Sequence, residues 1–401
     1  MYSTLHDYAN SVIFYTLALE NRERLYDQNP DLYRIDLAET QNNLGNLYCD
    51  LLDFEKGEKY YLLALENKEI MFKQNKDLFR ETLAKTQNNL AGLYLSIHDY
   101  VRCEKFCKLV LENYELLSMQ DPDKYLAEMA RTQNNIAYFY RIQHDYSMCE
   151  KYLILALENR EYLFKQNPAY RKQLAITQND LGILYDVLND YQKAERYYIL
   201  SINNYDELSK AYPGIYIEDL SMVQNNLGIL YYNIHDCKKS IEYHTMSLEN
   251  KELLFQQNPN AYRECLALSQ YNLGFVYSNL LYNADSEKYY KLALENYEIL
   301  FEKNPDAYRE DIANTLNNLA YLYAESNKFK DAVTMINKAI SIIPDKTVFY
   351  DSKGEILLMQ GKNEEALNMW KKVLELNPNF LKDFPDGTEL SKGLKKIGLL
   401  E

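Results

Sequence analysis

A nine-residue block occurs seven times along this chain at a nearly constant spacing, and no other sequence feature limits the fold as strongly. The block reads TQNNLGNLY at residues 40–48, TQNNLAGLY at residues 86–94 and TQNNIAYFY at residues 132–140. Each copy begins 45 or 46 residues after the copy before it. A fixed period of this length is typical of arrays that stack one supersecondary unit on the next. Because a single hydrophobic core stops growing at about 250–300 residues, the 401 residues are expected to form such an array.

Each unit contains two helical patterns separated by a short turn. In the first pattern, Leu44, Leu47, Tyr48 and Leu51 follow the spacing of one helix face. An aspartate in the turn can accept hydrogen bonds from the free N–H groups that open the second helix. The turn aspartates are Asp53, Asp99, Asp145, Asp190 and Asp236. A loop with proline is expected to close each unit, and the prolines concerned are Pro122, Pro168, Pro213, Pro259 and Pro305.

These patterns resemble the tetratricopeptide repeat, whose signature is W-x2-LG-x2-Y followed by A-x3-F and then P. Gln41-x2-Leu44-Gly45-x2-Tyr48 matches the first part, with Gln in the place of Trp. The A-x3-F step is matched loosely by Gly57 and Tyr61, by Ala194 and Tyr198, and by Ser286 and Tyr290. The 46-residue period is similar to that of the long-repeat subgroup, which includes kinesin-light-chain-type repeats and many bacterial arrays. The resemblance implies an all-α solenoid, a right-handed superhelix of antiparallel helix pairs.

The period also predicts how the chain is divided. His6-Asp7-Tyr8 aligns with His98-Asp99-Tyr100, two periods later, so residues 1–30 are expected to hold the orphan second helix of an incomplete repeat. Residues 31–305 would contain six 46-residue repeats, and residues 306–378 two repeats of the 34-residue type. The last segment, residues 379–401, has the pattern of an amphipathic capping helix.

Composition excludes several classes of function. There are 44 Lys and Arg against 59 Asp and Glu, which gives a net charge of −15. Such a surface repels phosphate backbones, so we expect no nucleic-acid partner. The sequence has no apolar run of the length that spans a membrane, and the N-terminal segment does not resemble a secretory signal. We therefore expect a cytoplasmic protein with no membrane partner.

Candidate chemistry is sparse. Cys103 and Cys149 occupy a position held elsewhere by small residues, which indicates packing. The histidines are spread one per unit, whereas a structural zinc site needs about four ligands that converge on one point. The sequence contains no phosphate-binding loop, dinucleotide fingerprint, nucleophile elbow or HExxH motif. We therefore expect no metal, no cofactor and no catalysis.

A pair of asparagines inside each block is the most informative polar feature. Asn is a mediocre helix former, so its return in the middle of a helix requires an explanation. In the resembled family this part of the first helix lines the concave groove, where an amide could bond the backbone of an extended peptide. The alternative is that one Asn of each pair bonds a neighbouring helix. The candidate groove residues are Asn42, Asn46, Lys85, Asn88, Arg131, Asn134, Tyr138, Asn179, Ile183, Asn225, Ile229, Phe275 and Asn317.

The leading hypothesis is a protein–protein interaction scaffold or adaptor that binds a peptide or partner segment in this groove. Lys85 and Arg131 make part of the groove basic, which suggests an acidic segment in the partner. The alternative is a sensor or regulatory module of a larger effector or signalling protein. Self-association through the N-terminal helix is a further hypothesis.

Overall fold

The computed structural model describes residues 8–378 and residue 380, and it contains helices and no strand within those residues. Within each unit, consecutive helices are joined by short turns and pack against each other as antiparallel pairs, which confirms the predicted all-α class. The chain divides into two compact units, and the boundary lies between Asp190 and Tyr191. His6, Asp7 and the capping helix expected at residues 379–401 lie outside the described residues, apart from Phe380.

Unit 1 contains eight α-helices in its described part, and a 3₁₀ turn at Pro168–Tyr170 precedes the last of them. They are α1 (Tyr8–Gln28), α2 (Pro30–Asp50), α3 (Phe54–Gln74), α4 (Lys76–Ser96), α5 (Tyr100–Gln120), α6 (Pro122–Ile142), α7 (Tyr146–Gln166) and α8 (Arg171–Val187). Even-numbered helices are called first helices below, and those from α2 to α14 carry the repeated block. Odd-numbered helices follow the turn and are called second helices.

Unit 2 contains nine α-helices in its described part. They are α9 (Tyr191–Ala211), α10 (Ile217–Asn233), α11 (Cys237–Gln257), α12 (Pro259–Asn279), α13 (Asn283–Lys303), α14 (Pro305–Glu325), α15 (Phe329–Ile342), α16 (Thr347–Met359) and α17 (Asn363–Leu376). The last three are shorter, at 14, 13 and 14 residues, and lie in the segment with the 34-residue spacing.

Helix ends follow the predicted capping chemistry, with one correction. The Asp53 carboxylate accepts a hydrogen bond from the backbone N–H of Lys56 at 3.2 Å, as expected for a residue that caps a second helix. The prolines were expected in closing loops, but Pro122, Pro259 and Pro305 are the first residues of helices. Proline fits that position because its missing N–H would have no partner inside the helix.

Tyrosine side chains join neighbouring repeats at the turn end of the helices. The Tyr94 hydroxyl on α4 donates to the Glu58 carboxylate on α3 at 2.8 Å, and Arg102 on α5 also pairs with Glu58. In unit 2, the Tyr323 hydroxyl donates to Glu287 at 3.2 Å, and Lys328 pairs with the same carboxylate. This repeated contact accounts for part of the chain's high content of tyrosine, 39 residues in all.

Candidate protein-binding groove

The first helices α4, α6 and α8 of unit 1 form a surface that we call the first-helix groove. Two cavities open onto it. The larger, called here the polar cleft, has a volume of about 720 Å³ and is lined by α6, α7, the Pro168–Tyr170 turn and α8. Its charged and amide lining comprises Lys124, Glu128, Arg131, Asn134, Asn135, Arg160, Gln173 and Asp180. The cleft therefore brings together three of the predicted groove residues, Arg131, Asn134 and Tyr138.

The second cavity, called here the apolar pocket, has a volume of about 220 Å³ and lies between α4 and α6 above α5. Its apolar lining comprises Ala91, Gly92, Leu95, Cys103, Cys107 and Ile136. The predicted groove residues Asn88 and Tyr138 lie at the same pocket, and Asn135 and Tyr138 line both cavities. The Tyr138 side chain is 48% exposed, so its ring stands between the two cavities and is accessible to a ligand.

The predicted basic side chains carry acidic neighbours. The Lys85 ammonium lies 2.7 Å from the Glu81 carboxylate, and Lys124 reaches the same carboxylate from α6 at 2.8 Å. Burial opposes the ionisation of Glu81, but hydrogen bonds from Lys124, Lys85 and Tyr125 outweigh it and lower its pKa to about 2. Lys85 thus takes part in a contact between α4 and α6 rather than presenting a free charge.

Arg131 pairs with Glu128, which lies three residues earlier on the same helix. Both side chains are exposed to solvent, and exposed ion pairs of this kind contribute about 0–1 kcal/mol. A ligand carboxylate could therefore replace Glu128 at Arg131 at little cost. Of the two predicted basic residues, Arg131 is the one that remains available.

Asp180 occupies the second position of the asparagine pair, where the other repeats carry Asn. Burial raises the pKa of its carboxyl to about 6, although Arg160, Arg141 and a hydrogen bond from Asn134 oppose this shift. The Asn134 amide donates to the Asp180 carboxylate at 2.5 Å. The polar cleft consequently contains a carboxyl group that titrates near neutral pH.

The first asparagine of the pair is engaged with the next repeat. The Asn42 amide oxygen accepts from the Thr86 hydroxyl at 3.0 Å and from the Asn89 amide at 3.2 Å. Asn46 accepts from Asn89 and from the Tyr61 hydroxyl. Asn134 accepts from the Thr177 hydroxyl at 3.0 Å. These hydrogen bonds give the amides a structural role between adjacent repeats. Contact of these amides with a ligand stays a prediction.

Burial separates the predicted groove residues into three groups. The exposed residues are Lys85, Arg131, Tyr138, Ile229 and Phe275. Asn46, Asn88, Ile183 and Asn225 are half-buried. Asn42, Asn134, Asn179 and Asn317 are buried. A ligand can reach the first group without any movement of the protein.

Two of the predicted groove residues of unit 2 contact a neighbouring repeat. The Phe275 ring packs against the Tyr232 ring at an interplanar angle of 56°, with ring centroids 5.4 Å apart, and Asn225 accepts from the Asn272 amide at 3.2 Å. The buried Asn317 amide oxygen has no hydrogen-bond partner. Phe349 stands one 34-residue step after Thr315, so the hydroxyl that Thr86 offers to Asn42 has no equivalent there.

Sequence reasoning missed a row of cations on the second helices, of which Lys68 and Arg160 are buried and Arg22 and Lys251 are half-buried. The four residues lie at one repeat position, where the intervening repeats carry Tyr114 and Tyr205, and this recurrence was the signal that could have revealed them. The Lys68 ammonium is buried and lies 3.0 Å from the Glu39 carboxylate. Arg160 donates to the backbone oxygen of Gln173 at 2.5 Å and lines the polar cleft.

The described residues lack two further features. They contain no group of three or more His, Cys, Asp and Glu side chains arranged to hold a metal ion. None of their helices combines the length and the apolar character needed to cross a lipid bilayer.

Comparison with known proteins adds the family. Residues 128–207 and residues 313–346 match family models, both described as tetratricopeptide repeat. No curated protein matches the sequence. Among solved structures, BtubC (BKLC) from P. vanneervenii is 23% identical, with a TM-score of 0.51 over 62% of this chain and 92% of that chain. The apo form of RapI is 14% identical, with a TM-score of 0.48 over 76% of this chain and 97% of that chain. At these identities the likeness concerns the fold alone.

Proposed function

This chain is a tetratricopeptide-repeat protein, and we propose that it is a protein-interaction scaffold whose first-helix groove in unit 1 binds an extended partner segment. The observation that supports this most is the polar cleft of about 720 Å³ between α6 and α8. It combines a volume suited to several side chains with charged groups, amides and an exposed aromatic ring. Such a mixture is typical of protein-binding surfaces, where aromatic and arginine residues contribute most of the affinity.

An acidic segment is the partner chemistry that fits the cleft best. Lys124, Arg131 and Arg160 line the cleft together with Glu128 and Asp180. Lys124 shares the Glu81 carboxylate with Lys85, so four cations face three carboxyl groups in this region. The guanidinium of Arg131 can hold a carboxylate through two parallel hydrogen bonds. A local excess of positive charge in a protein of net charge −15 also favours an acidic segment at this cleft over the rest of the surface.

Charge reversal in the cleft tests the proposal. Partners would be captured with the intact chain, identified by mass spectrometry and then measured against purified variants. Arg131→Glu should weaken binding at least tenfold at low salt and less at high salt, because screening reduces charge contacts. The matched control is Lys108→Glu, the same charge change at an exposed residue of α5 outside the two cavities. A partner that binds both variants equally well would contradict the proposal.

Self-association through α1 is a second, independent proposal. Ile13 and Leu17 on α1 are exposed, and Leu25 is 37% exposed, whereas Met71 at the equivalent position of α3 is 4% exposed. Burial of such a stripe against a second copy would remove apolar surface from water. Sedimentation velocity should give a dimer that Leu17→Glu converts to monomer, with Val101→Glu as the control. A monomer at all concentrations for the unaltered chain would exclude this contact.

A further inference from the structure

We propose that the apolar pocket of unit 1 is a receptor for one aromatic side chain of a binding partner. This proposal rests on the proposed function in one respect, namely that the ligand is a segment of a protein. The pocket itself is argued from the packing of the repeats. No residue of this pocket other than Asn88 and Tyr138 belongs to the groove residues expected from the sequence.

The chain provides an internal comparison for this pocket. The equivalent site one repeat later is lined by the equivalent residues, among them Ala137 for Ala91 and Cys149 for Cys103. Its volume is about 30 Å³, against about 220 Å³ for the apolar pocket. The space between equivalent helices is therefore nearly filled by side chains in one repeat and open in the repeat before it.

Two substitutions between the repeats explain the difference in volume. Gly92 stands where the next repeat has Tyr138, and Cys107 stands where it has Leu153. A β carbon placed on Gly92 would meet no atom within 4 Å, so nothing has moved in to close the space. The pocket thus lacks the side chains that fill its counterpart.

An aromatic ring is what the repeats themselves use to fill this space. In the preceding repeat the Tyr61 ring lies so close to Gly45 that a β carbon there would be 2.4 Å from it, and its hydroxyl donates to Asn46. In the following repeat the Tyr138 ring lines the equivalent site. A ligand ring in the apolar pocket would restore the packing that an interior of normal density requires.

The lining suits a ring with a polar edge. Cys103 and Cys107 place two polarisable sulfur atoms, 4.0 Å apart, in the floor of the pocket. Asn88, Thr132 and Asn135 also line the pocket and offer side-chain partners for a phenolic hydroxyl. Because the pocket shares Asn135 and Tyr138 with the polar cleft, one partner segment can place its ring here and its acidic residue at Arg131.

The test uses p-cresol, the side-chain analogue of tyrosine, as the probe. Saturation-transfer NMR on the full chain should detect binding with a Kd on the order of a millimolar, which is reasonable for a ligand of this size. Cys107→Leu copies the Ala137 and Leu153 combination of the next repeat and should abolish the signal. Gly92→Tyr should also abolish the signal, because the tyrosine ring would occupy the pocket from the opposite wall.

Two control variants accompany these. Gly92→Ala adds only the β carbon that meets no neighbour, so it should retain binding. Cys237→Leu makes the same chemical change in α11, outside the pocket, and should also retain binding. Circular dichroism would establish that every variant is folded.

Failure to detect p-cresol with the unaltered chain would overturn the proposal. Equal signals from the unaltered chain, Cys107→Leu and Gly92→Tyr would overturn it as well, because the probe would then bind elsewhere. Arg131→Glu should leave the p-cresol signal unchanged, since Arg131 does not line this pocket. A failure of the proposed function therefore appears in partner capture, and a failure of this proposal appears in the NMR experiment.

Discussion

Asp180 illustrates how one residue can change the behaviour of a repeat. The other repeats place an amide at this position, in Asn43, Asn89, Asn135, Asn226, Asn272 and Asn318. A carboxyl group at the same buried site favours its protonated form, because burial disfavours the charge more than the nearby arginines favour it. The folded protein consequently holds this proton more tightly than the unfolded chain does.

Replacement of Asp180 by Asn should make the stability of unit 1 less dependent on pH. A folded-state pKa of about 6, above the unfolded value of 3.8, contributes stability that is fully present below pH 4 and is lost as the pH rises through 6. A shift of about two pKa units corresponds to about 3 kcal/mol. Urea unfolding midpoints from pH 4 to pH 8 should fall for the unaltered chain and stay level for Asp180→Asn. The control Asp27→Asn, at an exposed site in α1, should follow the unaltered chain. A parallel fall in Asp180→Asn would contradict the account.

The asparagine pair allows a second test at the residue scale. Asn42 and Asn89 bond each other across two repeats, so Asn42→Ala and Asn89→Ala should not be additive in their effect on unfolding free energy. We expect each change to cost about 1–3 kcal/mol, because each leaves a polar partner unsatisfied. The coupling in a double-mutant cycle should be at least about 0.5 kcal/mol. Additive costs would contradict the coupling between the two amides. A loss of partner binding without a loss of stability would assign these amides to ligand contact instead.

The sequence predicted where these polar residues recur but not what they touch. The period of the block placed the asparagines on one helix face. The low helix propensity of Asn indicated that asparagines in the middle of a helix require an explanation. The partners of Asn42 lie 44 and 47 residues further along the chain, so their distances depend on how one repeat packs on the next. The same holds for Lys85, which shares the Glu81 carboxylate with Lys124 of the next repeat.

At the scale of the helix pair, one contact recurs between a first helix and the second helix that follows it. Where the first helix has Gly, the facing residue is a ring, as in Gly45 with Tyr61 and Gly274 with Tyr290. Where the first helix has Ala, the facing residue is smaller, as in Ala137 with Leu153 and Ala320 with Ile336. Ala91 and Cys107 are the exception, because they leave the apolar pocket open. The helices approach each other closely in both cases, so the volumes on the two sides must be matched.

Gly45→Ala tests this matching, because two effects of opposite sign compete. Alanine improves helix propensity by about 1 kcal/mol, but its β carbon would lie 2.4 Å from the Tyr61 ring. We expect a net destabilisation of about 1–3 kcal/mol, as for other overpacked cores, measured by urea unfolding. Tyr61→Leu in the same chain should rescue it, since it copies the Ala137 and Leu153 pair. Gly92→Ala, where the β carbon meets nothing, should stabilise the protein by up to about 1 kcal/mol. Stabilisation by Gly45→Ala would disprove the matching.

Helix boundaries were less predictable than helix faces. Asp53, Asp99, Asp145 and Asp236 were predicted correctly as caps, because a short side chain that accepts from the next N–H groups has a local signature. The prolines were placed in loops, since proline is disfavoured inside a helix, and the exception at the first helical position was overlooked. Both predictions rest on local sequence. A turn aspartate has one expected role, whereas a proline occurs both in loops and at the first position of a helix.

At the scale of the whole molecule, the repeat period determined the fold class and the residue types at the groove determined the candidate function. The likeness to BtubC (BKLC) concerns the fold alone, and the proposed binding surface depends on features of this chain. These are the polar cleft, the exposed Tyr138 ring and the available Arg131. Their combination was visible only in part from the sequence, because the volume of a cleft depends on how adjacent helices pack.

Site-specific photo-cross-linking tests the central claim, that the first-helix groove of unit 1 is the binding surface. Tyr138 would be replaced by p-benzoylphenylalanine, which retains an aromatic ring at the junction of the two cavities. The control would carry the same residue at Val101, which is 81% exposed and lines neither cavity. The account predicts that a partner captured by the unaltered chain forms a cross-link from position 138 and none from position 101. Cross-links from position 101 alone would contradict it and would place the partner outside the groove.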